Sequence, residues 1–162
     1  MIDFTKILSA SLLALMLSGC GTTEPDAPKV VKEEPARMID ATLKSATISQ
    51  AKNQLMAGCS SNNLLIKTDT KVVTCETKKP IPSRDRELTA AVRDEFATDI
   101  REVFEFTLTE QGGNIQIKAN SFARFQSPVS VTSANLVKKR NLLDDQAIST
   151  LKSILDKAGA TY

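Results

Sequence analysis

The sequence predicts an α+β domain, an antiparallel sheet of about four strands with two or three helices packed on one face, following a disordered tether. Three observations carry this expectation. Phe104, Phe106 and Leu108 alternate with Glu105, Thr107 and Thr109; Gln111-Gly112-Gly113-Asn114 then turns the chain into Ile115 and Ile117, which alternate with Gln116 and Lys118. A period of two on both sides of a Gly-Gly turn is the pattern of a β-hairpin with one buried and one wet face. Ile148, Leu151, Ile154, Leu155 and Ala158 fall at helical spacing between Asp144-Asp145, one of which caps the start, and Gly159, which ends the helix. Gly21–Arg37, by contrast, contains Pro25, Pro28 and Pro35, with Val30-Val31 as its only sizeable apolar residues. That is too little apolar surface to offset the entropy of ordering the segment.

Between tether and hairpin the elements follow from local patterns. Met38, Leu43, Ala46, Ile48, Ala51, Leu55 and Met56 approximate one apolar face, which predicts a first helix that Gly58 stops before the turn cluster Ser60–Asn63. Leu64–Lys67 and Lys71–Thr77 are β-rich and flank Thr68-Asp69-Thr70, a tight hairpin. Lys78–Arg86 holds two prolines, Pro80 and Pro82, and is expected to be a loop. Leu88, Val92, Phe96 and Ile100 recur every four residues and predict a second helix within an insertion. Phe122–Gln126 extends the second strand of the long hairpin, and Val129–Thr132 adds a short edge. The order is helix, hairpin, insertion, hairpin, helix over residues 38–162, in which amphipathic helices cover one face of an antiparallel sheet.

The N-terminus has three zones. Met1–Lys6 is weakly positive once the terminal amine is counted, and Ile7–Leu17 is apolar and uncharged. Its eleven residues span about 16 Å as a helix, half of a bilayer core, which suits a signal h-region and not a membrane span. Leu17-Ser18-Gly19-Cys20 then resembles the lipobox of bacterial lipoproteins, where small residues precede a Cys that is acylated before cleavage. The resemblance implies that residues 1–19 are a removed signal peptide, that Cys20 carries the lipid, and that residues 20–37 tether the domain to a membrane. Each buried methylene contributes about 0.8 kcal/mol, so two or three acyl chains hold the protein practically permanently. Gly21 stands where inner-membrane retention signals usually place Asp, which implies an outer-membrane location facing the periplasm. As a coil the tether averages about 20–25 Å, so the domain stays near its membrane. The succession of a helix, Lys71-Val-Val-Thr-Cys-Glu-Thr-Lys-Lys-Pro80 and a long hairpin with Gln-Gly-Gly at its tip is also similar to small uncharacterised envelope lipoproteins, over Ile48–Leu155. It transfers no functional residues.

With Cys20 committed to lipid, Cys59 and Cys75 remain. An even pair in an exported domain predicts a disulfide, here tying the end of the first helix to the second strand. The alternatives are two buried free thiols or a redox pair, but a redox pair would sit two residues apart at a helix start, and this one does not. The closed loop of about 17 residues contributes roughly 3 kcal/mol in the chain-entropy model.

Composition narrows the chemistry. Lys and Arg number 21 against 19 Asp and Glu, a net charge of +2, which offers no electrostatic footprint for nucleic acid. There is no His, the commonest general acid/base near neutral pH and the commonest nitrogen ligand of transition metals. No cofactor and no metal are expected. Ser49-Gln-Ala-Lys52 and Ser149-Thr-Leu-Lys152 share the Ser-x-x-Lys spacing of penicillin-binding acyl enzymes. The companion motifs are missing, however, and fourteen Ser with fourteen Lys predict about one such match by chance. Asp94-Glu95 and Asp144-Asp145 are adjacent pairs, which point apart on a helix instead of facing one cleft. Lys138-Lys139-Arg140 is the one basic run. It suits a solvated loop before the last helix, or, with the tether keeping a membrane near, contact with anionic headgroups. Phe104, Phe106, Phe122 and Phe125 are expected in the core, with a lipid-carrying groove as the alternative. No catalytic residue is expected. The expected role is that of a non-enzymatic interaction or assembly component of the cell envelope with an envelope protein as partner; the alternatives are a tethered lipid- or small-ligand-binding domain, or an exclusion factor acting on an envelope receptor.

Overall fold

The computed structural model describes residues 38–78, 82–128 and 135–162. Among them the elements run β1 (Ile39–Leu43), α1 (Ile48–Ser61), β2 (Leu64–Thr68), β3 (Val72–Thr77), α2 (Pro82–Val92), β4 (Thr98–Gln111), β5 (Asn114–Pro128), β6 (Asn135–Asn141) and α3 (Asp145–Lys157). The signal peptide, Cys20 and the tether expected over residues 1–37 lie outside the described residues, as does the short edge expected at Val129–Thr132.

The β4–β5 hairpin is the spine of a six-stranded antiparallel sheet in the order β1-β5-β4-β3-β2, with β6 also on β5. Its register matches the alternation: Phe104, Phe106 and Leu108 stand opposite Ser121, Ala119 and Ile117. Gly112 and Gly113 take φ of +57° and +77° at its tip, where side chains other than Gly are strained. β5 is long enough to hold two strands end to end on its outer edge. β1 lies along Ile115–Ala119 and β6 along Phe122–Pro128. The α+β class holds, with two strands more than the sequence patterns indicate.

Each departure has a local cause. Residues 39–43 form a strand and not a helix start, because Ile39, Ala41 and Leu43 alternate and pair with Ala119, Ile117 and Ile115. Thr47 begins α1 instead. Its hydroxyl accepts the Gln50 N–H at 3.2 Å while the Gln50 side chain accepts the Thr47 N–H at 2.9 Å, a capping box. The helix then runs past Gly58 to Ser61, and Asn63 adopts the left-handed conformation after it at φ +57°. Residues 82–86 are helical, although the two prolines nearby predict a loop. Pro82 occupies the first position of α2, where a missing N–H removes no helical hydrogen bond. Leu88 and Val92 are buried as helical residues, but the period of four ends at Arg93, whose φ of +53° breaks the helix. Phe96 lies in the following turn and Ile100 in β4. Lys138-Lys139-Arg140 belongs to β6 and not to a loop.

The helices use one face of the sheet. Ala51 and Leu55 of α1 and Leu151, Ile154 and Leu155 of α3 form one core with Val73, Cys75, Phe104, Phe106, Leu108, Ile115 and Ile117. Asp144 caps α3, its carboxylate accepting the Ala147 N–H at 2.9 Å. Thr161 closes the outer edge of β1 by exchanging backbone hydrogen bonds of 2.8 and 3.0 Å with Thr42. Gly58 marks a close approach of α1 to α3. A methyl group there would lie 2.8 Å from the Ile154 carbonyl oxygen and 3.1 Å from its Cγ2. Elsewhere in a helix Gly→Ala gains about 1 kcal/mol. At this crossing the two helices must part, and we expect Gly58→Ala to lower the urea midpoint by an equivalent of about 1–2 kcal/mol. An unchanged or raised midpoint would show that the crossing yields without cost.

Candidate functional site

Beyond the end of α2, the turn Arg93–Ala97 and strands β5 and β6 enclose an open groove of about 660 Å³, lined by Val92, Arg93, Phe96, Phe125, Lys138 and Arg140 among others. Its shape follows from short-range chemistry. The Asp94 carboxylate accepts the Phe96 N–H at 3.1 Å and the Asp94 carbonyl accepts the Ala97 N–H at 3.1 Å, a tight Asx turn. The turn presents Phe96 outward, 64 % exposed, while Phe125 is buried beneath.

Strand alternation divides the basic run. Lys138 and Arg140 stand opposite Phe125 and Ala123, on the groove side, and Lys139 stands opposite Arg124 on the other face. There its ammonium lies 4.4 Å from the centre of the Phe122 ring and 3.9 Å from Glu105. The three residues therefore do not act as one patch. Lys138 lies 3.6 Å from Asp94 and donates to the Ser127 hydroxyl at 3.2 Å. The Ser127 hydroxyl, the Phe96 N–H and Lys138 together hold the Asp94 carboxyl below its usual range, against a smaller effect of desolvation. The guanidinium groups of Arg93 and Arg140 have no hydrogen bond or ion pair among the described residues. The groove thus combines an apolar floor, a protruding aromatic ring and two guanidinium groups that no described residue pairs, with the carboxylates of Asp94 and Glu95 also in its lining.

A second charged cluster escapes sequence reading. Arg84, 4 % exposed, reaches from α2 to Glu102 of β4 through both Nε and Nη2, and its Nη1 lies 2.9 Å from both Glu87 and Asp144. It links α2, the sheet and the cap of α3. Burial pushes the Glu102 carboxyl up, with Arg84 opposing. At Asp144 burial is outweighed by the hydrogen bonds from Arg84 and the Ala147 N–H, which hold the carboxyl down. The sequence contains one signal for this residue: Arg84, Leu88 and Val92 share a spacing of four, so a helix that buries the two apolar side chains carries Arg84 inward with them. On the other face, buried Glu76 binds Arg124 at 2.5 Å and Lys67 at 3.3 Å.

Cys59 and Cys75 form a disulfide with a Cα–Cα distance of 6.0 Å, tying the last turn of α1 to β3. The two Ser-x-x-Lys strings lie on different helices, α1 and α3. Lys52 donates to the Asp69 carbonyl at 2.7 Å and Lys152 lies over the Tyr162 ring. Phe104 and Phe106 are fully covered by the core, so they line no groove. Among the described residues no group of three His, Cys, Asp or Glu side chains is placed to hold a metal. No model of a known protein family and no curated protein matches the chain.

Proposed function

We propose that this chain is a lipid-anchored protein of the cell envelope, held at the outer membrane through Cys20 and facing the periplasm. It acts by non-enzymatic contact with another envelope component. The Cys59–Cys75 disulfide carries this reading. It lies inside the core, where both residues are fully buried, and such bonds form and persist in exported proteins. The lipobox-like Leu17–Cys20 offers the route to that compartment. The perturbed charged groups support the same conclusion: Arg84, Glu102 and Asp144 join three elements, and Asp94 shapes a turn. Their chemistry is accounted for by architecture. Burial of Phe104 and Phe106 under the helices favours a surface-contact role over a lipid pocket on the sheet.

The test acts on the anchor. Cys20→Ser is expected to abolish fatty-acid labelling and to leave the protein uncleaved or soluble, read by labelling and membrane fractionation. Unchanged labelling or partition would refute the anchor. Gly21→Asp, which leaves the domain intact, is expected to move the protein to the inner membrane and impair any phenotype, since a tether of about 20–25 Å does not reach partners across the envelope.

A further inference from the structure

We propose that the groove between the Arg93–Ala97 turn and strand β6 is a membrane-contact site, which seats Phe96 among the headgroups of an anionic bilayer with Arg93 and Arg140 on their phosphates. Among the described residues few large apolar side chains are exposed, and Phe96 is the most exposed of them at 64 %. It is held at the apex of a hydrogen-bonded turn, so presenting it needs no reorganisation. Aromatic rings flanked by cations suit the interface between water and acyl chains, where the ring is half dehydrated and the cations meet phosphate. Here the cations are available. Asp94 is engaged by Lys138, Ser127 and the turn itself, whereas no described residue pairs with the guanidinium groups of Arg93 and Arg140.

The position of the site on the sheet favours a bilayer as the occupant. The chain enters the domain at Met38, directly before β1, and β1 shares the outer edge of β5 with β6. Ile39 stands at Ala119 and Arg140 at Ala123, four residues along the same strand, or about 14 Å. Seventeen residues lie between Cys20 and Met38. A lipid on Cys20 would therefore keep a membrane within reach of the edge of the sheet that carries the groove, since such a segment averages about 20–25 Å as a coil. This inference deepens the anchored reading and rests on it for the proximity of a membrane, but the site itself can be tested without the anchor.

The experiment uses the mature chain from residue 20 with Cys20→Ser, so that no acyl chain contributes. Its flotation with vesicles of phosphatidylethanolamine and phosphatidylglycerol is compared with flotation on phosphatidylcholine alone. Binding to the anionic vesicles, weakened by salt, is expected. Arg140→Gln should reduce it about fivefold, the effect of one cation near an anionic surface, and Phe96→Ser should reduce it at least as much. Lys118→Gln removes the same charge from the opposite face and should leave binding within twofold. Circular dichroism and the intact Cys59–Cys75 bond confirm folding of each variant. Equal binding to neutral vesicles, equal losses in Arg140→Gln and Lys118→Gln, or no binding to either vesicle would overturn the proposal; the last result would leave a protein ligand for the groove. Loss of fatty-acid labelling in Cys20→Ser is read separately, so failure of the anchor and failure of the groove give different results.

Discussion

Replacing Arg84 with methionine is expected to destabilise the domain by about 3–5 kcal/mol at neutral pH, the cost of leaving a buried carboxylate without its cation. Methionine keeps the bulk of the side chain but removes every hydrogen bond to Glu102, Glu87 and Asp144. Glu102, buried on β4, must then either stay charged without a partner or bind a proton. Its carboxyl is already pushed up by burial, and without Arg84 it rises further. A carboxyl whose folded pKa lies above its unfolded value costs stability as pH rises past the unfolded value, near about pH 4. The loss in Arg84→Met should therefore be greatest at neutral pH and shrink on acidification. Asp144 contributes in the same direction: its lowered carboxyl stabilises the parent above the ordinary carboxylate range, and that contribution fades as pH falls. Urea unfolding at two pH values measures both effects. Combining Arg84→Met with Glu102→Leu removes the stranded charge and should recover most of the loss. A single variant as stable as the parent, or a double variant no better than the single, would show that the buried pair does not join these elements.

Reduction of the Cys59–Cys75 bond should cost about 3 kcal/mol, or roughly 10–15 °C in Tm for a domain of this size. The bond closes a sequence separation of 16 residues around β2 and the β2–β3 turn. In the unfolded chain it removes the freedom of that loop, and in the folded chain both sulfur atoms lie in the core beside Phe104, to which Cys75 is paired. Comparing the same chain oxidised and reduced isolates the crosslink from any change of side-chain volume. Replacing both cysteines by alanine adds a cavity and should cost somewhat more. A midpoint unchanged by reduction would mean that the folded state alone holds α1 against β3. Free alkylation of both thiols in native protein would refute the bond in the cell.

Much of the domain is legible in the order of its residues, and particular positions show why. The β4–β5 hairpin announces itself because Phe104–Leu108 and Ile115–Ile117 bury alternate residues on one face, and the glycines between them permit the turn. Asp144, Leu151, Leu155 and Gly159 mark α3 for a similar reason: one face must be apolar and each end must satisfy its backbone. The candidate site is harder to read. Phe96 continues the period of Leu88 and Val92, and only the left-handed Arg93 reveals that the helix has ended before it. Lys138, Lys139 and Arg140 look like a single patch until a strand turns alternate residues to opposite faces.

By itself the sequence determined what depends on neighbours along the chain: the long hairpin and the capped last helix. The tertiary structure decided what depends on partners far away. Ile39–Leu43 and Asn135–Asn141 are short, and their strand hydrogen bonds come from the edge of β5, which is long enough to receive both. Gly58 looks like a helix stop, yet it is the point where α3 leaves no room for a side chain. Arg84 looks like a loop cation, yet α2 turns it inward toward a carboxylate 18 residues away. In each case local preference is worth about 1 kcal/mol or less, and packing against a distant segment outweighs it.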